Sequence, residues 1–189
     1  MQKNNLKEKV LKDIRNVYKK GGIHYAIQHY VDPNYWVKPF KIFFPDMDIN
    51  NHTNFDNSIC FNMSVNISPM VGDDIKTIEE YVRKNGKADV LEVKISVVSI
   101  YAIVKFLRYQ FNNIENKIEV LSSYIPFDKE YLKYREILET NLQNEYIRFL
   151  EDDILFEKIK DDISLQFKKG DITVYDCFFY DRWIMVKGK

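Results

Sequence analysis

The segment DMDINNHTNFDN, residues 46–57, places side-chain oxygens at its first, third, fifth and ninth positions. That is the ligand spacing of a calcium loop, which also needs a Gly at position six and a bidentate Glu at position twelve. Here those two places hold Asn51 and Asn57, and the flanks (Phe43-Phe44-Pro45 before, Ser58 after) read as strand rather than helix. The segment therefore reads as a polar hairpin loop, where Asp and Asn serve the turn. Asp46, Asp48, Asn50 and Asn54 are kept as a candidate cation loop, and no metal centre or cofactor is expected. His24 and His29 are five residues apart, which separates them on a strand and on a helix alike, so they make no ligand pair. Cys60 and Cys177 show no zinc or redox spacing and read as reduced structural thiols.

The chain carries no P-loop, G-x-S-x-G, S-x-x-K, H-E-x-x-H or Rossmann glycine pattern. Asp46-x-Asp48 with Gly72-Asp73-Asp74 has the parts of a haloacid-dehalogenase phosphotransfer site. Only about 25 residues separate them, however, where that chemistry needs most of a doubly wound domain. A non-catalytic protein is expected.

Formal net charge is zero over 189 residues, but the charge is unevenly spread. Residues 1–45 carry nine Lys/Arg against three Asp/Glu, whereas residues 46–80 carry one against seven and residues 127–168 seven against eleven. A balanced total disfavours direct nucleic-acid binding, while the acidic blocks could attract something basic. Glu151-Asp152-Asp153 and Asp161-Asp162 read first as a solvated helix face and second as a negative docking surface. The segment DCFFYDRW, residues 176–183, sets Tyr180 and Trp183 beside Asp181 and Arg182, residue types enriched in interface hot spots and equally at home in an ordinary edge strand.

Hydrophobic periodicity supplies the elements that must position these groups. A helix is predicted over about 4–20, closed by Gly21-Gly22. Residues 23–31 lean to strand, and a short strand is expected over 41–44. Residues 58–68, SICFNMSVNIS, alternate strictly: Ile59, Phe61, Met63, Val65 and Ile67 form one face and Cys60, Asn62, Ser64, Asn66 and Ser68 a wet one. A helix over about 73–85 is capped by Asp73 or Asp74 and stopped by Gly86. Residues 88–111 read as one long strand, with a helix from Ser99 as the alternative. A strand over 117–124, helices over about 128–160 and a C-terminal hairpin turning at Lys169-Gly170-Asp171 complete the chain. The expected class is α+β in a single domain: a mainly antiparallel sheet with the N-terminal helix, the central helix and the 128–160 helical segment packed on it.

The start, MQKNNLKEKVLKD, is polar without an apolar h-region, so no signal peptide is expected, and the longest uncharged apolar run, Ile95 to Val104, is too short to cross a bilayer. A cytoplasmic protein without a membrane partner is expected. In size, in its Asn, Lys, Ile and Tyr richness, and in the ending GDITVYDCFFYDRW, the chain resembles small bacterial immunity proteins of contact-dependent and polymorphic toxin systems. The resemblance implies tight binding to a cognate toxin domain, such as a nuclease, with blockage of its active site. It directs attention to Asp152, Asp153, Asp161 and Asp162 as the binding surface and to Tyr180 and Trp183 as anchors. The rival readings are an enzyme whose site converges only in three dimensions and an adaptor pairing through an edge strand.

Overall fold

The computed structural model describes residues 3–18, 31–68, 77–160, 165 and 170–179. It has an α+β fold whose centre is a mainly antiparallel sheet. The strands are β1 (Ile49–Asn51), β2 (Cys60–Asn66), β3 (Lys87–Ser96), β4 (Tyr101–Asn112), β5 (Lys117–Ser123) and β6 (Arg148–Phe149). β1 to β5 lie side by side in sequence order, each antiparallel to the next, and β6 pairs in parallel with the start of β4. The described helices are α1 (Lys3–Tyr18), α2 (Val37–Phe43), α3 (Ile78–Asn85), α4 (Leu132–Asn144), α5 (Asp152–Leu155) and α6 (Val174–Phe179).

Strand alternation divides the apolar side chains between two layers. On the first face Phe61, Met63, Val65, Leu91, Val93, Ile95, Val104 and Phe106 form the main core with Phe40 of α2 and Leu138 and Leu142 of α4. The second face is covered at its two ends. At one end Cys60, Tyr101 and Ile103 pack with Val10 and Ile14 of α1 and with Cys177, Phe178 and Phe179 of α6. At the other, Ala88 and Tyr109 meet Tyr81 and Val82 of α3. The face read as wet is largely buried: Cys60 lies under α1 and α6, while Ser64 and Asn66 are buried at the floor of a cleft between the two covered ends.

Five further departures from the sequence reading have local causes. The stretch expected as strand over 41–44 belongs to α2, where Trp36, Phe40 and Phe44 recur every fourth residue and are all buried. Pro39 sits in the first turn, where its missing N–H costs nothing. Residues 88–111 form two strands rather than one, although the connection Val97–Ile100 holds neither Gly nor Pro. Two serines turn the chain there: the Ser96 hydroxyl accepts from the Val98 N–H and the Ser99 hydroxyl from the Tyr101 N–H.

The helical segment over 128–160 breaks after α4. Tyr146 takes a left-handed φ of 62°, its N–H donates to the Gln143 carbonyl and the Ile147 N–H donates to the Leu142 carbonyl. This is a Schellman stop, with Tyr where Gly is preferred. The strand expected to return over 172–175 is instead the start of α6. Thr173 and Asp176 form a reciprocal capping box: the Asp176 carboxylate accepts from the Thr173 N–H at 2.7 Å, and the Thr173 hydroxyl accepts from the Asp176 N–H at 3.4 Å. Among the described residues an antiparallel bridge joins Lys158 to Thr173, and the first strand of the expected hairpin, over 163–168, lies outside the described residues apart from Leu165. The central helix begins at Ile78, with Thr77 rather than Asp73 or Asp74 as its cap, accepting from the Glu80 N–H. The segment 23–31, apart from Val31, and residues 180–189 lie outside the described residues.

A buried ion pair clamps β3 to β4. The Asp89 side chain is 1% exposed and takes two bonds from Arg108, Nε to Oδ1 at 2.7 Å and Nη2 to Oδ2 at 2.9 Å. Arg108 also reaches Asp128 at 2.6 Å, and Lys87 reaches the same carboxylate at 3.1 Å. Removing the cation alone would strand a desolvated carboxylate, which costs about 3 kcal/mol. Arg108→Leu is expected to lose that much in denaturant unfolding, and Asp89→Leu/Arg108→Leu to regain most of it. Equal loss in both variants would contradict the account. Hydrogen bonds from Lys87 and Arg108 hold the Asp128 carboxyl below its usual value. A depressed folded value adds stability above the unfolded pKa, and that stability is lost as pH falls through the folded one. Unfolding followed from about pH 5 downward should therefore show a shallower acid slope in Asp128→Asn than in the parent.

Candidate functional site

Between its two covered ends the second face of the sheet stays open, and its side chains there are polar. Register fixes the arrangement. Ser64 on β2 lies between Asn50 on β1 and Glu92 on β3, and Glu92 lies opposite Lys105 on β4. Asn62 is opposite Lys94, and Asn66 is opposite Val90. The result is a cleft of about 680 Å³. One wall carries Asp48, Asn50, His52, Asn62, Ser64 and Asn66, and the other Val90, Glu92, Leu107 and Tyr109, with Ile78 of α3 at the end.

Two pairings organise the floor. His52 Nε2 and the Ser64 hydroxyl are 2.8 Å apart, with Ser64 buried. Beside Glu92, Lys94 is only 4% exposed, donates to the Tyr175 hydroxyl at 3.3 Å and lies over the Tyr175 ring. Burial works against its charge, but Tyr175 and Glu92 hold its pKa above the usual lysine value. Lys105 lies over the Tyr124 and Tyr175 rings, each 5.3 Å from the ammonium, and burial lowers its pKa. Both lysine heads thus turn toward aromatic rings, where cation–π attraction offsets part of the desolvation. The side-chain oxygens of Asn62 and Asn66 and the hydroxyl of Tyr124 are buried with no hydrogen-bond partner.

A second, smaller cleft of about 420 Å³ opens where β5 ends and β6 begins. Tyr124, Ile125, Arg135 and Phe149 line it, and Glu151, Asp152 and Asp153 form its acidic side. All three acids are exposed, as are Ile125 (73%) and Phe156 nearby in the chain. Burial raises the Asp152 pKa against the attraction of Lys105 and Arg135. Arg135 is held by Glu139 at 2.6 Å and by the Tyr124 carbonyl at 3.1 Å.

Comparison with protein-family models, curated proteins and solved structures found no match. The site residues rest on the geometry alone.

The structure divides the candidate cation loop. Asp48 and Asn50 line the large cleft, Asp46 and Asp48 together line an adjoining hollow with Glu130 and Lys133, and Asn54 folds the following turn, accepting from the Asp56 N–H. Residues 49–51 are strand rather than loop. Among the described residues no three His, Cys, Asp or Glu side chains gather as a metal site. Asp152 and Asp153 lie together on the smaller cleft, whereas Asp161, Asp162, Tyr180 and Trp183 fall outside the described residues. Cys60 and Cys177 are buried, unbridged thiols. Among the described residues no helix is long and apolar enough to cross a membrane.

Sequence reasoning recorded the alternation of Asn62, Ser64 and Asn66 but did not join them to Glu92 and His52, because register is set by non-local pairing. It also passed over Tyr146, which is 84% exposed and strained at the end of α4. A non-Gly residue in the left-handed region costs about 1–2 kcal/mol, so Tyr146→Gly should raise the melting temperature by a few degrees. A lower melting temperature would show that the ring makes stabilising contacts.

Proposed function

We propose that the chain is a non-catalytic binding protein, an immunity protein that docks on a basic toxin domain and blocks it. The observation that carries the proposal is the exposed acidic edge Glu151, Asp152 and Asp153, set against Ile125 and Tyr124 at the smaller cleft. Acids beside an apolar contact suit a cationic partner: the charges speed the encounter, and the apolar centre holds the complex once water is excluded. The large cleft of the second face adds acceptors and carboxylates to the same chemistry.

One observation favours a different reading. The contact between His52 and Ser64 has the geometry of a base beside a nucleophile, the first element of acyl-transfer catalysis. The neighbouring β2 backbone N–H groups are largely committed to the sheet ladder, so the ladder supplies few donors for an oxyanion. Ser64 and His52 serve the proposal better as hydrogen-bonding groups of a binding surface.

The test is co-purification with the product of the neighbouring gene, made as an inactivated C-terminal fragment, together with rescue of growth against the active fragment. A stoichiometric complex and rescue are expected. Asp152→Lys/Asp153→Lys should weaken the complex at least about tenfold, because like charges then face the partner. Ser64→Ala removes one hydrogen-bonding group of the binding surface, so it should weaken complex and rescue in parallel. Rescue lost in Ser64→Ala while the complex persists would transfer the proposal to catalysis, and absence of both complex and rescue would overturn it.

A further inference from the structure

We infer that the large cleft on the second face is a receptor for an arginine side chain projecting from the partner. The inference rests on the reading of the chain as a binder of a basic protein, and it names the group that is bound.

Asn66 is only 9% exposed, it lines the cleft, and its side-chain oxygen has no hydrogen-bond partner. Asn62, four residues along the same strand face, lines the same cleft and has the same deficit. A buried amide oxygen without a donor costs free energy, so two of them on one cleft mark a place where donors are supplied from outside. Asp48 lies beside Asn66, whose N–H donates to the Asp48 carbonyl at 3.0 Å. Residues i and i+2 of a strand lie about 7 Å apart on one face, so Asn62 and Asn66 are about 14 Å apart with Ser64 between them. Glu92 comes in from the adjacent strand opposite Ser64, midway between them. The cleft thus offers separated acceptors around one carboxylate, with Asp48 as a second carboxylate on its wall.

The side chains lining the cleft include no Lys or Arg, because Lys94 and Lys105 turn toward Tyr175 and Tyr124. The unmet demand is for donors at the amide oxygens and for positive charge at Asp48, since Lys94 and Lys105 already stand beside Glu92. Guanidinium presents five N–H donors in a planar fork and can meet the Asn66 oxygen and an adjacent carboxylate at once, whereas an ammonium is a compact point charge. The opposite wall suits the rest of the side chain. Val90, Leu107 and Tyr109 give an apolar strip along which three methylenes can lie, leaving only the charged head among the polar groups.

The experiment titrates the full chain with N-acetyl-arginine amide and follows its amide resonances, with the uncharged isostere N-acetyl-citrulline amide as control. A ligand of this size is expected to bind with a dissociation constant on the order of millimolar. Shifts should concentrate at His52, Ser64, Asn66, Glu92 and Tyr109, and citrulline should give little. Asp48→Asn changes an exposed side chain on the rim, so it keeps the fold and should weaken the arginine titration several-fold. Asn66→Leu should abolish it, and Asp48→Asn alone still decides the matter if Asn66→Leu does not fold. Equal shifts with citrulline, shifts centred on Glu151–Asp153, or no shifts in the cleft would each overturn the inference. The two proposals fail separately. A silent cleft in a chain that still neutralises its partner removes the arginine receptor alone. Arginine binding without any partner complex leaves the receptor standing and removes immunity.

Discussion

A sheet face that is shut at both ends and open in the middle governs this protein. The strands β2, β3 and β4 cannot be apolar on that face throughout, because its centre meets water, and cannot be polar throughout, because α1, α6 and α3 bury its ends. The residues follow that division. Cys60, Tyr101 and Ile103 sit under the helices at one end, Ala88 and Tyr109 at the other, and Asn62, Ser64, Asn66 and Glu92 lie between. The transition is where the energetic cost concentrates. Lys94 and Lys105 stand at the border of the first covered end, and they remain there because Glu92, Tyr124 and Tyr175 surround them.

The opposite face holds the sheet in this form. Its core is continuous from α2 across β2, β3 and β4 to α4, and the Asp89–Arg108–Asp128 chain fastens β3 to the segment that leads into α4. A rigid back lets the front keep unsatisfied groups. The orphaned oxygens of Asn62 and Asn66 lie on a strand whose register is pinned on both sides, by β1 and by β3. Polar groups pre-placed on a rigid support bind without an ordering cost, which is the condition for tight recognition of a charged partner. On the proposed reading, the acidic edge at the β5–β6 opening and the polar cleft serve one task, drawing in and holding positive charge.

The sequence made the regular elements plain and hid those set by turns and distant contacts. α1, β2 and β5 emerge from periodicity with nearly their observed bounds, since 3.6- and 2-residue patterns are local. The Val97–Ile100 turn was invisible because serine side chains, not Gly or Pro, make it. α6 was taken for a strand because Ile172, Val174 and the aromatics that follow have high β-propensity. The Thr173–Asp176 capping box overrides that preference, and its T-x-x-D spacing was present in the sequence to be read. The site was half legible. The polar residues of β2 and β3 could be listed, but their meeting with His52, Asp48 and Tyr109 depends on strand order. Asp152 and Asp153 were singled out from charge alone, and the cleft beside them could not be.

The most direct test of the account is hydrogen exchange of the chain, free and in complex with the partner domain. The account predicts slowed exchange at residues 48–52 on the cleft rim and at residues 124–125 and 151–153 on the acidic edge, with the main core unchanged. Protection confined to β5, as edge-to-edge pairing would give, or no difference at either cleft, would contradict it.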